Sequence, residues 1–272
     1  MTASDGTLPG YDRPPVVESY LGVQFLPLKG FSIPHFGLYL AKIRENYPDF
    51  QVQLPLVPAI EQFGVAQYSP RKVGVELVSS PEVRCWFIDK SGAMLNQVQS
   101  DRFLHNWRKV KPEDVSVHYD RIKPQFTEEW KTFCDFLNET NLGRPEITQC
   151  EMTYVNHIEI GEGWKSYGEL DKVVALWSGS SSEKFLPTPE SVNISARYLL
   201  PDKKGRLHIE MQPAIRQDGK EILQLNLTAR GRPKSSDLEN LLEWFDLGHE
   251  WIVRGFTDFT AKEMHKFWGR NK

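Results

Sequence analysis

Residues 205–230 read GRLHIEMQPAIRQDGKEILQLNLTAR, and the order of apolar and polar side chains in this run decides the fold. Leu207, Ile209 and Met211 alternate with Arg206, His208, Glu210 and Gln212. After a turn at QDGK (217–220), Leu223, Leu225, Leu227 and Ala229 alternate with Gln224, Asn226, Thr228 and Arg230. A strand turns successive side chains to opposite faces, so this is a hairpin with one greasy and one hydrophilic side. Just upstream, Ile194, Ala196 and Tyr198 oppose Asn193, Ser195 and Arg197, which adds a third strand, with DKKG (202–205) as the turn between. Two-sided strands of this kind belong to an antiparallel sheet with one face covered.

The cover is the stretch that follows, SDLENLLEWFDLGHEWIVRGFTDFTAKEMHKFWG (236–269). Leu238, Leu241, Leu242, Phe245, Ile252, Phe256 and Phe259 recur at three- and four-residue steps, the stripe of one α-helix roughly six turns long. Ser236 and Glu239 have capping-box spacing and predict its start. Thr260 and Glu263 repeat that spacing, and Gly269 supplies a stop, so a short second helix is expected.

Upstream the pattern repeats in outline. Residues 1–15, rich in Gly, Pro, Asp, Ser and Thr, read as a flexible tail. Residues 16–28 alternate as a strand, and Phe36, Leu40 and Ile43 give a helix over 34–47 that Pro48 closes. Residues 51–74 are Pro-spaced and lack a period. An antiparallel meander is expected over 75–110, from VELVSS (75–80), VRCWFID (83–89), MLNQVQ (94–99) and RFLHNWRKV (102–110), with a turn at Asp89–Gly92 and a slip near Gln99–Arg102. Phe126, Trp130, Phe133 and Leu137 mark a helix over 123–138. TQCEMTYVNHIEI (148–160) starts again as a strand, Ser166 and Glu169 predict a helix reaching Trp177, and 177–190 is a Ser/Gly/Pro loop.

Set side by side, 16–146 and 147–272 share the order strand, helix, several strands, helix. The expectation is an α+β fold: a curved antiparallel sheet from two similar halves, helices on one face, similar to the TATA-binding-protein-like and helix-grip arrangements.

The chain has 272 residues, 40% hydrophobic and 25% charged, with a formal net charge of -3, eight Trp and fifteen Phe. Those proportions suit a soluble globular domain with an aromatic core. The negative balance argues against a protein held mainly by phosphate contacts. Cys85, Cys134 and Cys150 form no paired spacing, so neither a disulfide framework nor a zinc site is expected. A basic-then-apolar leader is lacking, and no run approaches the ~18 apolar residues of a membrane span, so a cytoplasmic setting is expected.

No catalytic set assembles from spacing, and no metal site or cofactor is expected. Gly161-Glu-Gly163 lacks the third glycine of a dinucleotide turn, and Trp177-Ser-Gly-Ser lacks the nucleophile elbow. Glu128 and Glu129 are assigned to a helix surface. The candidates are binding residues instead. Arg197, His208, Gln212, Asn226, Thr228 and Arg230 share the hydrophilic side of the last three strands. Tyr154, Asn156 and His157 bring a phenol, an amide and an imidazole to the middle of the chain, and Arg108 offers a guanidinium for an anionic group.

RPPVVESYLGVQF (13–25), QSDRFLHNWRK (99–109), CEMTYVNHIEIGEGW (150–164) and LGHEWIVRGFTDFTAKEMHKFWG (247–269) resemble a bacterial protein family described as sporadically distributed. The family has no assigned activity, so the resemblance transfers no residue role. Its scattered occurrence implies an accessory locus, of phage-defence or toxin–antitoxin type. The expected function is a non-enzymatic binding module that holds a protein partner or small ligand on the polar sheet face. The rivals are a small-molecule or catalytic pocket between sheet and terminal helix, and a nucleic-acid binder using the same face.

Overall fold

A computed structural model describes residues 7–57, 59–61, 63, 82–178 and 185–271. Among them, nine strands form one open antiparallel sheet, and the fold is α+β. The strands are β1 (Val16–Phe25), β2 (Asp49–Gln53), β3 (Arg84–Ile88), β4 (Met94–Gln99), β5 (Arg102–Arg108), β6 (Ile147–Glu159), β7 (Ile194–Leu199), β8 (Gly205–Ile215) and β9 (Glu221–Gly231). Their order across the sheet is β2-β3-β4-β5-β1-β6-β9-β8-β7, with every neighbouring pair antiparallel. From the central β1–β6 pair, each flank therefore runs outward through the strands of its own half of the chain.

The alternation read at 205–230 sets the register. Leu207 pairs with Ala229, Ile209 with Leu227 and Met211 with Leu225, and all six side chains are buried. Leu21, Val23 and Phe25 of β1 bury on the same side. That side carries the helices α1 (Ile33–Ile43), α2 (Tyr119–Glu139) and α3 (Leu238–Phe259). Tyr39 of α1 stands edge-on to Phe87 of β3, Phe103 of β5 meets Trp130 of α2, and α3 lies across β6, β9 and β8. Fully burying an aromatic or branched side chain contributes about 1.5–3 kcal/mol, so the aromatic core is the main source of cohesion.

Several boundaries differ from expectation, each for a local reason. The long helix is capped by Asp237, one residue after Ser236: its carboxylate accepts from Asn240 N at 2.9 Å. Thr260 closes that helix, donating its hydroxyl to Phe256 O at 2.6 Å, and Ala261 rather than Thr260 precedes α4 (Lys262–Phe267). The helix expected to reach Trp177 is only the 3-10 turn Tyr167–Lys172. There Glu169 accepts from Lys165 N, four residues back, and Lys172 Nζ. Helix α2 starts at Tyr119 and carries Pro124 within its first two turns. The slip near Gln99–Arg102 is a tight turn at Ser100–Asp101 between β4 and β5. The strand expected at 75–80 lies outside the described residues. Tyr11, Asp12 and Arg13 pair with the carboxyl end: Asp12 N donates to Gly269 O and Arg13 N to Trp268 O, both at 3.0 Å.

Candidate functional site

The sheet's other face carries the polar phase of β1, β6, β8 and β9, while on the β3–β5 side Trp86, Ile88, Leu95 and Leu104 interrupt it. Its upper end is the Gly205–Gly231 end of β8 and β9. Arg206 pairs with Arg230, His208 with Thr228, Glu210 with Asn226 and Gln212 with Gln224. On β6 the same row holds Glu151, Thr153 and His157, and on β1 it holds Tyr20 and Glu18.

At the upper end a piece of the chain's own backbone lies on this face. Leu56 N donates to Gln99 Oε1 at 2.8 Å, and Gln99 Nε2 donates back to Leu56 O at 3.2 Å. Glu61 N donates to Gln149 Oε1 at 2.9 Å, and Gln149 Nε2 donates to Ala59 O. Gln99 sits on β4 and Gln149 on β6, three strand spacings away. At about 4.8 Å per spacing that is ~14 Å, while five residues span at most ~17 Å. Leu56, Ala59 and Glu61 are therefore laid across these strands.

Glu61 then ends the crossing in a cationic clamp. Its Oε2 lies 2.5 Å from Arg206 Nη1, its Oε1 2.5 Å from His208 Nε2 and 3.7 Å from Arg230 Nη1. The carboxylate is 5% exposed. Burial pushes its pKa up, but hydrogen bonds from His208 and Arg206 outweigh that and hold it at about 2. Phe63 lies under the Arg206 guanidinium, 4.4 Å from the ring centre. Arg230 also donates to Glu151, which accepts Tyr20 OH at 2.6 Å.

At the lower end the face opens into a groove of about 1260 Å³. Glu18, Arg108, His157, Arg216 and Gln224 line it, with Met264 of α4 on one wall. A one-way chain of hydrogen bonds feeds Glu18. Arg84 and Trp86 donate to Gln97 Oε1, Gln97 Nε2 donates to Asn106 at 2.7 Å, and Asn106 Nδ2 donates to Glu18 at 2.8 Å. Burial nevertheless raises the Glu18 pKa above the usual carboxylate range. Arg108 lies over the Trp86 ring, 5.6 Å from its centre. Burial, helped by Arg216, lowers the His157 pKa, and its Nδ1 is buried without a partner. Arg216 is itself tied to Glu159 and Asp218.

The sequence-derived candidates thus divide. His208 and Arg230 engage Glu61, Thr228 shares a 2.8 Å hydrogen bond with Thr153, and Asn226 accepts from Gln224 at 3.3 Å. Arg197 and Gln212 are exposed on the same face. Arg108 and His157 both line the lower groove. Tyr154 and Asn156 do not join them, because they point to the helix side. There Asn156 Nδ2 donates to Leu225 O at 3.0 Å, and Tyr154 faces His249 of α3 with ring centres 6.1 Å apart.

Glu61, Gln99, Gln149 and Glu18 went unrecognised in the sequence. A lone acid in an aperiodic, Pro-spaced run carries no signal of where it lands. A second missed cluster sits beneath α2, where Glu129 holds His105 Nδ1 at 2.7 Å, Asn96 Nδ2 at 3.0 Å and Tyr47 OH. Glu129 is turned into the protein, not out to the helix surface as expected, whereas Glu128 is solvent-facing. Among the described residues no group of three or more His, Cys, Asp or Glu is placed to hold a metal ion, and no helix is long and apolar enough to cross a membrane.

Comparison with known protein families, with curated proteins and with solved structures returns no match for this chain. The resemblance to a sporadically distributed bacterial family rests on the quoted segments alone.

Proposed function

We propose that this protein is a non-enzymatic binding module that takes an extended segment of a partner protein on the polar face of its sheet. The observation that carries the reading is the lower groove: about 1260 Å³ of space continuous with the polar rows, with Arg108, His157 and Gln224 in its lining. That volume exceeds the ~300–1,000 Å³ of a typical small-molecule pocket, which favours a chain segment over a compact ligand. The groove wall carries Arg13, Arg108, Lys109, Lys111, Arg216 and Lys220 beside Glu18, Glu159, Glu162 and Asp218, so its charge does not separate the readings, and it is the net charge of -3 that weighs against a phosphate-bound partner. The small-ligand reading draws on one feature, the unpartnered Nδ1 of His157 on the groove wall.

The mirrored strand order about β1–β6 supports origin by internal duplication, with 16–146 and 147–272 as the two units and the helix-covered sheet similar in plan to a TATA-binding-protein-like or helix-grip arrangement. A cytoplasmic setting and an accessory bacterial locus complete the proposal.

A photo-crosslinking side chain placed at Gln224 tests it, with Arg121 on the outer surface of α2 as the control position. In the native host, Gln224 should capture one protein that Arg121 does not, and Arg108→Glu should cut that adduct at least tenfold while leaving the unfolding midpoint near the parent value. Equal capture from both positions, or an adduct indifferent to Arg108→Glu, sinks the reading.

A further inference from the structure

The upper end of the polar face is built differently from ordinary loop packing. Two side-chain amides, Gln99 and Gln149, satisfy the main chain of Leu56, Ala59 and Glu61 at both donor and acceptor positions. Such contacts read an extended backbone and ignore its side chains. Among the described residues of this crossing, Glu61 is the position read by charge, held by Arg206, His208 and Arg230. Backbone contacts for affinity and a pocket for one side chain for specificity is the division of labour by which proteins recognise extended peptides.

We infer that Gln99, Gln149, Arg206, His208 and Arg230 form a binding site for an extended, glutamate-bearing segment of a partner protein, and that Leu56, Ala59 and Glu61 occupy it as an internal stand-in for that ligand. The inference rests on the reading above that the polar face binds a partner segment, and it names the chemistry of that segment. The same polar rows run from this clamp into the lower groove, so a partner chain entering by the groove meets the clamp next. A tethered occupant competes at a high effective concentration, so the site stays closed until a longer segment anchored in the groove displaces it.

The probe is a fluorescent synthetic peptide, LPLVPAIEQF, copied from residues 54–63, alongside a version with Gln in place of its Glu. The full-length Glu61→Gln chain should bind the acidic peptide at least tenfold more tightly than the unsubstituted chain, because its own occupant has lost its charge. The Gln-containing peptide should bind at least tenfold more weakly, and adding Arg206→Ala or Gln99→Ala to Glu61→Gln should each remove most of the binding. No binding to Glu61→Gln, or equal binding of both peptides, overturns the inference. A dimer of Glu61→Gln formed without peptide also overturns it, by making a second copy the occupant. Should Glu61→Gln not fold, the unsubstituted chain is titrated to millimolar peptide and hydrogen exchange is followed at the Glu61 amide. Faster exchange supports displacement, and unchanged exchange refutes it. Crosslinking at Gln224 is independent of these outcomes, so the clamp can fail while the groove stands.

Discussion

Glu129 of α2 and His105 of β5 stand 2.7 Å apart, Oε2 to Nδ1, on the covered side of the sheet, where His105 has no solvent exposure at all. The same carboxylate takes Asn96 and Tyr47, so three polar groups from three segments depend on one side chain. His105 Nε2 and Asn96 Oδ1 already lack partners, so the cluster is incompletely satisfied even with Glu129 in place. Glu129→Ala strands three buried groups at once and should cost about 2–4 kcal/mol in urea unfolding. Glu128→Ala, one residue away on the solvent side, should stay within about 0.5 kcal/mol. A loss at Glu129 below about 1 kcal/mol would mean that the cluster is hydrated, not closed.

A second pair of neighbours on α3 separates steric need from helix propensity. A Cβ on Gly255 would lie 2.5 Å from Leu207 Cδ2, inside the well-packed contact with β8. At Gly248 the nearest atom, Ala229 Cβ, would be 3.4 Å away, an ordinary contact. Alanine gains about 1 kcal/mol over glycine in a helix interior, and overpacking costs about 1–3 kcal/mol. Gly248→Ala should therefore be neutral or stabilising in thermal unfolding, and Gly255→Ala destabilising by up to about 2 kcal/mol. The reverse order would mean that α3 lies higher on the sheet than described.

These contrasts show which parts of the structure were legible beforehand. Alternation at 205–230 and the stripe of α3 each report a direction of burial, and direction is what a sheet covered on one side must encode. Glu129 was legible too, and was misread. It lies three residues after Phe126 and four before Phe133, within the buried stripe, so its position in the helix period, not its charge, sets where it points. Tyr154 and His157 are three apart on a strand, which puts them on opposite faces whatever their chemistry. Glu61 was not legible. Its partners Arg206, His208 and Arg230 are roughly 145 to 170 residues away, and no periodicity links an extended crossing segment to the strands beneath it.

The Glu61 clamp has a pH signature. Its folded pKa of about 2 is below the ordinary carboxylate value of 4.5. A depressed carboxylate contributes stability that is fully present above its unfolded pKa and disappears as pH falls through the folded one. The gap in unfolding midpoint between the parent chain and Glu61→Gln should therefore be constant above pH ~5 and close steadily toward pH 2. A gap unchanged across that range would show that the carboxylate is not ion-paired.

His249 should give the opposite kind of evidence, a cost that appears on acidification. Its ring stacks on Tyr119 of α2 at 4.1 Å, and Tyr154 lies tilted to it at 6.1 Å. Burial lowers its pKa to about 4, despite the pull of Asp120, Asp246 and Glu250 toward the charged form. Between the unfolded value of 6.5 and that folded value, the unfolded chain binds the extra proton, so stability falls as pH falls through this window. The loss attributable to this one ring should be on the order of 2–3 kcal/mol between pH 7 and pH 4. His249→Phe keeps an aromatic ring on Tyr119 but has nothing to protonate, so it should lack that part of the slope and gain on the parent chain as the solution is acidified. Proton NMR gives the direct check. The His249 ring resonance should titrate below pH 5, and a midpoint near 6.5 would mean that water reaches the α2–α3 junction and that the stack on Tyr119 is open.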